Sequence, residues 1–158
     1  MPQLSSLFYA ILNVMHKDFY ASGFLYHPSS EQILLQQNSA LSPTSSPWVL
    51  FGGIYLADDS PEVLFKDTIF KLLDIKIRVV LPVYSYCNEK NDKDQYIGYA
   101  TVRSRHNFSS RNGLTFSWFS FKDVLKLPMT KQMQHDIVVG QRVIEAASRK
   151  SRGEHTFQ

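Results

Sequence analysis

The segment Ser60-Pro61-Glu62 constrains the fold more than any other feature, because it combines three preferences for the start of a helix. Serine is a favourable N-cap, proline suits the first helical position, and glutamate complements the positive end of the helix dipole. The residues that follow predict a helix from about Pro61 to Leu73. Phe65, Ile69 and Leu73 recur every four residues, so they form one apolar stripe that we expect to face a core.

Short strand-like segments surround this helix in the sequence. They are Phe19–His27, Glu31–Gln37, Trp48–Phe51, Ile75–Cys87, Tyr96–Ser104 and Leu114–Phe121. Pro82 indicates an edge strand or a bulge, because proline cannot donate a backbone hydrogen bond to a neighbouring strand. A last helix is predicted from about Lys131 to Ser148. The order hairpin, strand, helix, several strands, helix predicts an α/β (α+β) domain with a mixed sheet and helices on its faces.

The chain reads as one domain, residues 1–150, followed by a polar tail, residues 151–158. The apolar patch Leu7–Val14 has no basic region before it and no small-residue cleavage site after it, so we expect no signal peptide. No apolar run approaches the roughly 20 residues of a membrane-spanning helix, so no membrane partner is expected. The single cysteine, Cys87, excludes an internal disulfide, favours a cytoplasmic location and is expected to be a small core residue.

The charge balance is mildly basic. The formal net charge is +3 and the sequence pI is about 9.0. This excess is compatible with an anionic ligand, but it is too small to indicate nucleic acid by itself.

The segment from Gly53 to Ile75 resembles the box motif of the Nudix hydrolase superfamily, of which MutT-like enzymes are members. That pattern is a glycine, five residues, a glutamate, seven residues, then Arg-Glu-apolar-x-Glu-Glu-x-Gly-apolar. On this chain the pattern's first glycine falls on Gly53 and its last on Asp74, while its glutamates fall on Asp59, Thr68, Lys71 and Leu72. Trp48-x-x-Phe-Gly-Gly and the segment Trp118–Val124 are similar to further family segments, in the right order.

The resemblance implies a Nudix-type α/β/α sandwich around a mixed β-sheet. In the family, the box glutamates hold magnesium or manganese ions, which bridge a substrate diphosphate and activate water. Here Thr68 offers one neutral oxygen, Leu72 offers none, and Lys71 brings a positive charge to the same helical face. Two like unit charges 4 Å apart repel by about 4 kcal/mol at a dielectric constant near 20, and a divalent ion doubles this. The sequence therefore predicts a degenerate box with no retained catalytic residue, no metal site and no cofactor.

Several side chains are candidates for ligand binding. Tyr84 and Tyr86 share one face of a strand and can stack a base. Lys71 can take over the cation's role toward a phosphate, or can simply pair with Asp67. The full set of candidates is Asp59, Lys71, Tyr84, Tyr86 and Arg103. Arg103 also belongs to a basic group with Arg105, His106 and Arg111, which is either a phosphate or RNA patch or a solvated loop.

Three functions remain open from the sequence. The favoured one is a catalytically impaired Nudix-fold domain that binds a nucleotide-like small molecule or acts as an interaction module. The resemblance also implies a homodimer. The second is a hydrolase of nucleoside diphosphate-linked compounds that binds magnesium or manganese through acids outside the usual positions. The acids considered for it are Asp58, Asp59, Glu62, Asp92 and Asp94. The third is an RNA- or protein-binding scaffold.

Overall fold

The computed structural model describes residues 18–39, 46–55 and 58–153. The patch Leu7–Val14 and residues 154–158 of the predicted tail lie outside the described residues. The strands are β1 Phe19–His27, β2 Gln32–Asn38, β3 Trp48–Val49, β4 Phe51–Tyr55, β5 Leu81–Asn88, β6 Lys93–Thr101 and β7 Leu114–Ser120. The helices are α1 Pro61–Leu73, α2 Phe121–Val124 and α3 Lys131–Ser151.

Strand β1 lies at the centre of one mixed sheet. It pairs in parallel with β6 along its length and antiparallel with two other strands, β4 beside its first half and β2 beside its last residues. Strand β2 continues the sheet to β3 and β7, and β5 pairs antiparallel with β6 at an edge. The predicted mixed sheet is confirmed. Pro82 lies on that edge strand, and the register shifts between Pro82 and Tyr84, as a bulge does.

Each face of the sheet is covered by one long helix, because side chains alternate across a strand. Phe24 and Tyr26 of β1 belong to the core under α3, whereas Leu25 belongs to the core under α1. The predicted stripe Phe65, Ile69 and Leu73 is buried in the second of these cores. The α/β/α sandwich expected from the resemblance is therefore confirmed.

A close approach of two glycines lets α1 reach the sheet. Gly23 of β1 lies opposite Gly98 of β6. A Cβ atom on Gly23 would lie 2.3 Å from the Gly98 carbonyl oxygen and 2.8 Å from the Phe65 ring. Glycine is thus required at this point for the ring of α1 to pack directly on the backbone of the sheet.

The predicted strand Ile75–Cys87 is wrong in its first half, since residues 75–80 form no strand. Leu81 pairs with Tyr99, so residues 75–78 would have to pair with chain beyond Thr101, where β6 ends. That chain is held elsewhere, because the His27 ring is hydrogen-bonded to the Arg103 carbonyl (Nε2–O 3.1 Å). The apparent strand pattern of residues 75–78 comes from half-buried isoleucines that alternate with exposed basic residues.

Other sequence-based boundaries need smaller corrections. The strand predicted from Tyr96 begins at Lys93, because the preceding turn is tight and brings the Asp92 amide within 2.8 Å of the Asn88 carbonyl. Helix α3 continues to Ser151 rather than ending at Ser148. Cys87 is exposed, so the expectation of a core cysteine is wrong.

Candidate functional site around helix α1

Thr68, at the position of a box glutamate, has its hydroxyl engaged inside the protein. The hydroxyl donates to the Leu64 carbonyl at 2.9 Å and is also hydrogen-bonded to the Tyr55 hydroxyl. Threonine has a single O–H donor, so the Tyr55 hydroxyl donates to the Thr68 oxygen. The one oxygen that this position offers is therefore already an acceptor within the fold.

The two adjacent box positions offer no oxygen ligand. Leu72 is half-buried and packs against the core under α1. Lys71 is exposed and places an ammonium group on the same helical face. Of the two alternatives for Lys71, the ion pair with Asp67 is wrong. No such pair within 4.0 Å occurs in the described chain, where both side chains are exposed.

The acids near the start of α1 do not supply the oxygen ligands that positions 68, 71 and 72 lack. Asp59 and Glu62 are exposed on either side of Ser60, whose hydroxyl caps the helix by accepting from the Val63 amide at 3.3 Å. Among the described residues, no three or more His, Cys, Asp or Glu side chains are grouped so that they can hold a metal ion. The residues at the box positions do not fit magnesium, which requires several oxygen ligands in octahedral geometry.

The backbone near each end of the segment that resembles the box has a conformation that glycine favours. Asp74, at the position of the pattern's last glycine, has φ 58° in the left-handed region, and its amide closes α1 on the Phe70 carbonyl at 2.9 Å. At the other end, Gly52 has φ 135°, and a Cβ atom there would lie 2.0 Å from the Ala21 carbonyl oxygen. Gly53, the aligned glycine, has open space beside it. Of the glycine pair, Gly52 is the one that the backbone requires.

A cavity of about 170 Å³ lies between the start of α1 and strands β5 and β6. Phe65, Val80 and Pro82 give it largely apolar walls, and Glu62 is the one charged residue among the described residues that line it. Thr68 and Leu72 do not line this cavity, since Thr68 faces Tyr55 on β4 instead. The cavity is therefore a recess distinct from the box face.

The rings of Tyr84 and Tyr86 lie on the other side of the sheet, against α3, although Tyr84 also lines the cavity beside α1. Their rings are 5.1 Å apart, and both hydroxyls point to Asp136, which is 4% exposed. Gln132 donates to the same carboxylate at 3.0 Å. We name Tyr84, Tyr86, Gln132 and Asp136 the tyrosine–aspartate cluster.

Burial dominates the ionisation of this cluster. It raises the pKa of the Asp136 carboxyl, although the hydrogen bonds from Tyr84 and Gln132 partly oppose that shift. Burial, with the nearby Asp136 carboxylate, raises the pKa of Tyr86 to about 12 and that of Tyr84 further still. The cluster thus favours neutral tyrosines bound to a carboxyl group whose charge is costly, which is the arrangement of a buried structural network.

Arg103 lies in a third region, at the end of β6. With Lys76, Arg78 and His106 it lines a cleft of about 470 Å³ between residues 75–79 and 101–106. Arg105 turns to the side of Gln32, where the two side chains are hydrogen-bonded. Arg111 lies near Leu114, away from this cleft. The structure therefore brings together only part of the predicted basic group.

The five ligand-binding residues predicted from the sequence do not converge on one site. Asp59 lies before α1, Lys71 on its exposed side, and Arg103 in the basic cleft. The two tyrosine rings lie under α3, and of the five residues only Tyr84 also lines the cavity beside α1, as far as the described residues show. Sequence reasoning missed other residues that these regions use, namely Tyr55, Lys76, Arg78, Gln132 and Asp136. For Asp136 a signal existed, because it precedes Ile137 on the apolar face of α3 that buries Gly140 and Ile144. A charged residue on such a face indicates a buried polar network.

No family model matches the sequence, and no curated protein matches it either. Solved structures do match. A mutT/nudix family protein from Listeria innocua has a TM-score of 0.63 at 13% identity, over 85% of this chain and 96% of its own. The NUDIX domain of NrtR from Shewanella oneidensis, solved in complex with ADP ribose, has a TM-score of 0.63 at 15% identity, over 80% and 87%. The chain has the Nudix fold.

A third Nudix-fold structure, the Nudix hydrolase RenU from M. smegmatis, has a TM-score of 0.56 at 16% identity, over 82% of this chain and 86% of that one. At these identities the Nudix fold is what the similarity shows, and the chemistry depends on the site. In the described part of the chain, no helix is long and apolar enough to cross a membrane.

Proposed function

We propose that this chain is a Nudix-fold domain that binds a nucleotide-like small molecule and lacks metal-dependent hydrolase activity. The observation that carries the proposal is the closed box face. The Thr68 oxygen is engaged by Leu64 and Tyr55, the half-buried Leu72 packs against the core, and Lys71 is a cation. A dication placed there would have to displace internal hydrogen bonds and would be repelled by the Lys71 ammonium, and no carboxylate at these three positions would coordinate it.

The nucleotide-like ligand is supported by fold and by shape. The NrtR domain shows that this fold can hold ADP ribose. In this chain the cavity beside α1 has about 170 Å³ between apolar walls, with the Glu62 carboxylate available as an acceptor. An apolar cavity of about 150 Å³ accommodates one aromatic ring. We therefore assign the base of the ligand to this cavity and a hydroxyl of its sugar to Glu62.

The binding half of the proposal is tested by thermal shift with ADP ribose in the presence of EDTA. Ligand at about 100 times Kd stabilises the folded state by about 2.7 kcal/mol. For a chain of this size each kcal/mol raises Tm by about 2–4 °C, so a rise of about 5–11 °C is expected. Ser85→Leu should reduce the shift, because Ser85 lines the cavity. Cys87→Leu is the matched control: it is the next exposed position on the same face of β5 and does not line the cavity.

The catalytic half is tested by turnover. With Mg²⁺ or Mn²⁺ and a panel of nucleoside diphosphate compounds, we expect no hydrolysis above the uncatalysed rate. Hydrolysis at enzymatic speed that Asp59→Asn abolishes would instead establish the alternative enzyme with displaced acids. No shift with any nucleotide would contradict the binding half alone.

A gain-of-function variant examines the closed box face directly. Thr68→Glu with Lys71→Glu places two carboxylates three residues apart on one helical face and removes the cation. We expect this variant to bind Mn²⁺ measurably by calorimetry, whereas the parent protein does not. The control Lys122→Glu makes an exposed charge change on α2 and should leave Mn²⁺ binding absent. Equal binding by parent and variant would contradict the electrostatic argument.

A further inference from the structure

We propose that the loop of residues 102–108 is a binding surface for single-stranded nucleic acid, because it separates a cleft lined by cations from a cleft lined by aromatic rings. This surface is separate from the cavity beside α1 and does not depend on the function proposed above. Neither ADP-ribose binding nor hydrolysis is a readout for it.

The loop is held in place by two ring nitrogens. The His27 ring bonds to the Arg103 carbonyl at 3.1 Å, and the Trp118 indole donates to the His106 carbonyl at 2.9 Å. The Ser30 amide donates to the other ring nitrogen of His27, so His27 is the donor to Arg103. The rings themselves pack edge to face, with centroids 6.1 Å apart. The backbone between Arg103 and His106 is therefore fixed at both ends, so binding does not have to order it.

The first cleft supplies positive charge. Lys76 and Arg78 approach it from the segment after α1, and Arg103 and His106 approach it from the loop. Ile75 and Ile77 pack inward on the core, which forces the intervening basic side chains outward. Of the described residues that line the cleft, none is acidic. A phosphate chain is the ligand that matches the three cations Lys76, Arg78 and Arg103 along one cleft.

The second cleft supplies stacking surfaces. It has a volume of about 360 Å³ and lies on the opposite side of the same loop. The half-buried rings of Phe108 and Trp118 line it together with Arg105, over the buried ring of Phe116, and no described lining residue is acidic. Aromatic rings beside a cationic groove are the arrangement that binds unpaired bases while the groove follows the backbone. A duplex hides its bases and a phosphopeptide has none, so the pair of clefts favours a single strand.

Fluorescence anisotropy with labelled oligo(U) and oligo(dT) tests the proposal over a range of salt concentrations. Arg78→Gln with Arg103→Gln removes two cations of the cleft. Each phosphate contact contributes about 0.7 to the log–log salt slope of a single strand, so the double variant should lose about 1.4. With affinity at 1 M salt unchanged, this is about 25-fold weaker binding at 0.1 M. The matched control, Arg142→Gln with Arg149→Gln, removes the same charge from exposed positions of α3 and should keep the parent slope.

Trp118 fluorescence tests the stacking half. The other tryptophan, Trp48, packs on Phe119 with ring centroids 4.8 Å apart. The substitution Trp48→Phe removes its emission, so the fluorescence of the variant comes from Trp118 alone. We expect oligonucleotide to quench this emission, and inorganic tripolyphosphate or a phosphopeptide not to quench it.

The substituted arginines are exposed, so a Tm within about 2 °C of the parent shows that the variants are folded.

Each outcome of these two experiments either supports the proposal or overturns it. Binding of either oligonucleotide, with the expected slope loss and with quenching, supports the proposal, and the preferred arm identifies the sugar. The proposal is overturned if neither oligonucleotide binds, or if the α3 control loses as much salt slope as the cleft variant. It is also overturned if the oligonucleotide binds without quenching Trp118 and a phosphopeptide displaces it.

Discussion

Substitution of Asp136 tests whether the tyrosine–aspartate cluster fastens α3 to the sheet. Tyr84 and Gln132 both donate to the same carboxylate oxygen, Oδ1, and the Tyr86 hydroxyl lies 3.5 Å from Oδ2. Asp136→Asn can therefore keep Oδ1 as the shared acceptor while its new amide group faces Tyr86. Asp136→Ala removes the acceptor and leaves Tyr84 and Gln132 without it.

The two substitutions should differ in magnitude. A buried hydrogen-bond donor that is left without a partner costs about 1–3 kcal/mol. Because Tyr84 is half-buried and Gln132 is exposed, each loss lies near the low end, so we expect Asp136→Ala to lower the free energy of unfolding by about 2 kcal/mol and Tm by about 4–8 °C. Asp136→Asn at pH 7 should stay within about 1 kcal/mol of the parent protein, because the hydrogen-bonded shape is kept and a costly buried charge is removed.

The difference between Asp136→Asn and the parent should grow with pH. Burial raises the pKa of Asp136 in the folded state, whereas an unfolded aspartate has a pKa of about 3.9. Below that value the carboxyl is neutral in both states. As pH rises from about 4 through the folded pKa, the unfolded state loses its proton first and is stabilised. The parent therefore loses stability relative to the asparagine variant over this window.

Urea unfolding of parent, Asp136→Asn and Asp136→Ala from pH 4 to pH 7 measures both effects. The m-value serves as the check that the folded and unfolded states are unchanged. A pH-independent difference between parent and Asp136→Asn would refute the raised pKa. Equal losses for Asn and Ala would refute the shared-acceptor geometry.

Two further predictions use matched pairs of positions. Gly52→Ala should cost about 3 kcal/mol or more, because Gly52 has φ 135° and no room for a Cβ atom, whereas Gly53→Ala should cost less than about 1 kcal/mol. Phe65→Ala should cost about 3–5 kcal/mol at a position 2% exposed, whereas Phe70→Ala, at 44% exposed, should cost less than about 1 kcal/mol. Thermal or urea unfolding measures each pair, and comparable losses within a pair would contradict the corresponding packing.

Helix α1 was predictable from the sequence because its signals are local. The Ser60 cap, the first-turn proline and the four-residue apolar stripe all lie within the helix, and the structure has the same bounds, Pro61–Leu73. Pro82 likewise restricts its own strand, because proline has no backbone N–H to donate. The structure confirms both expectations, since β5 is an edge strand and its register shifts next to Pro82. Such features depend on a few neighbouring residues and not on the rest of the fold.

The candidate sites were less predictable because they depend on pairings across the chain. Asp136 meets Tyr84 across 52 residues, and this contact exists only once α3 covers the face of β5. Residues 75–78 have the alternation of a strand, but the chain with which they would pair is held at the Arg103 carbonyl by His27. The cleft that Lys76 and Arg78 line lies between these unpaired residues and the loop that His27 holds. The same long-range contact therefore explains why the predicted strand was wrong and why Lys76 and Arg78 were missed.

The left-handed backbone at the end of α1 gives a last prediction. Asp74 has φ 58°, which glycine adopts without strain, and its negative charge lies at the negative end of the helix dipole. Asp74→Asn removes only the charge and should stabilise by about 0.3–1 kcal/mol at low salt. Asp74→Gly also removes the backbone strain and should be the most stable of the three, by up to about 1 kcal/mol more. Urea unfolding ranks them, and a glycine variant less stable than asparagine would show that the left-handed backbone at residue 74 costs nothing.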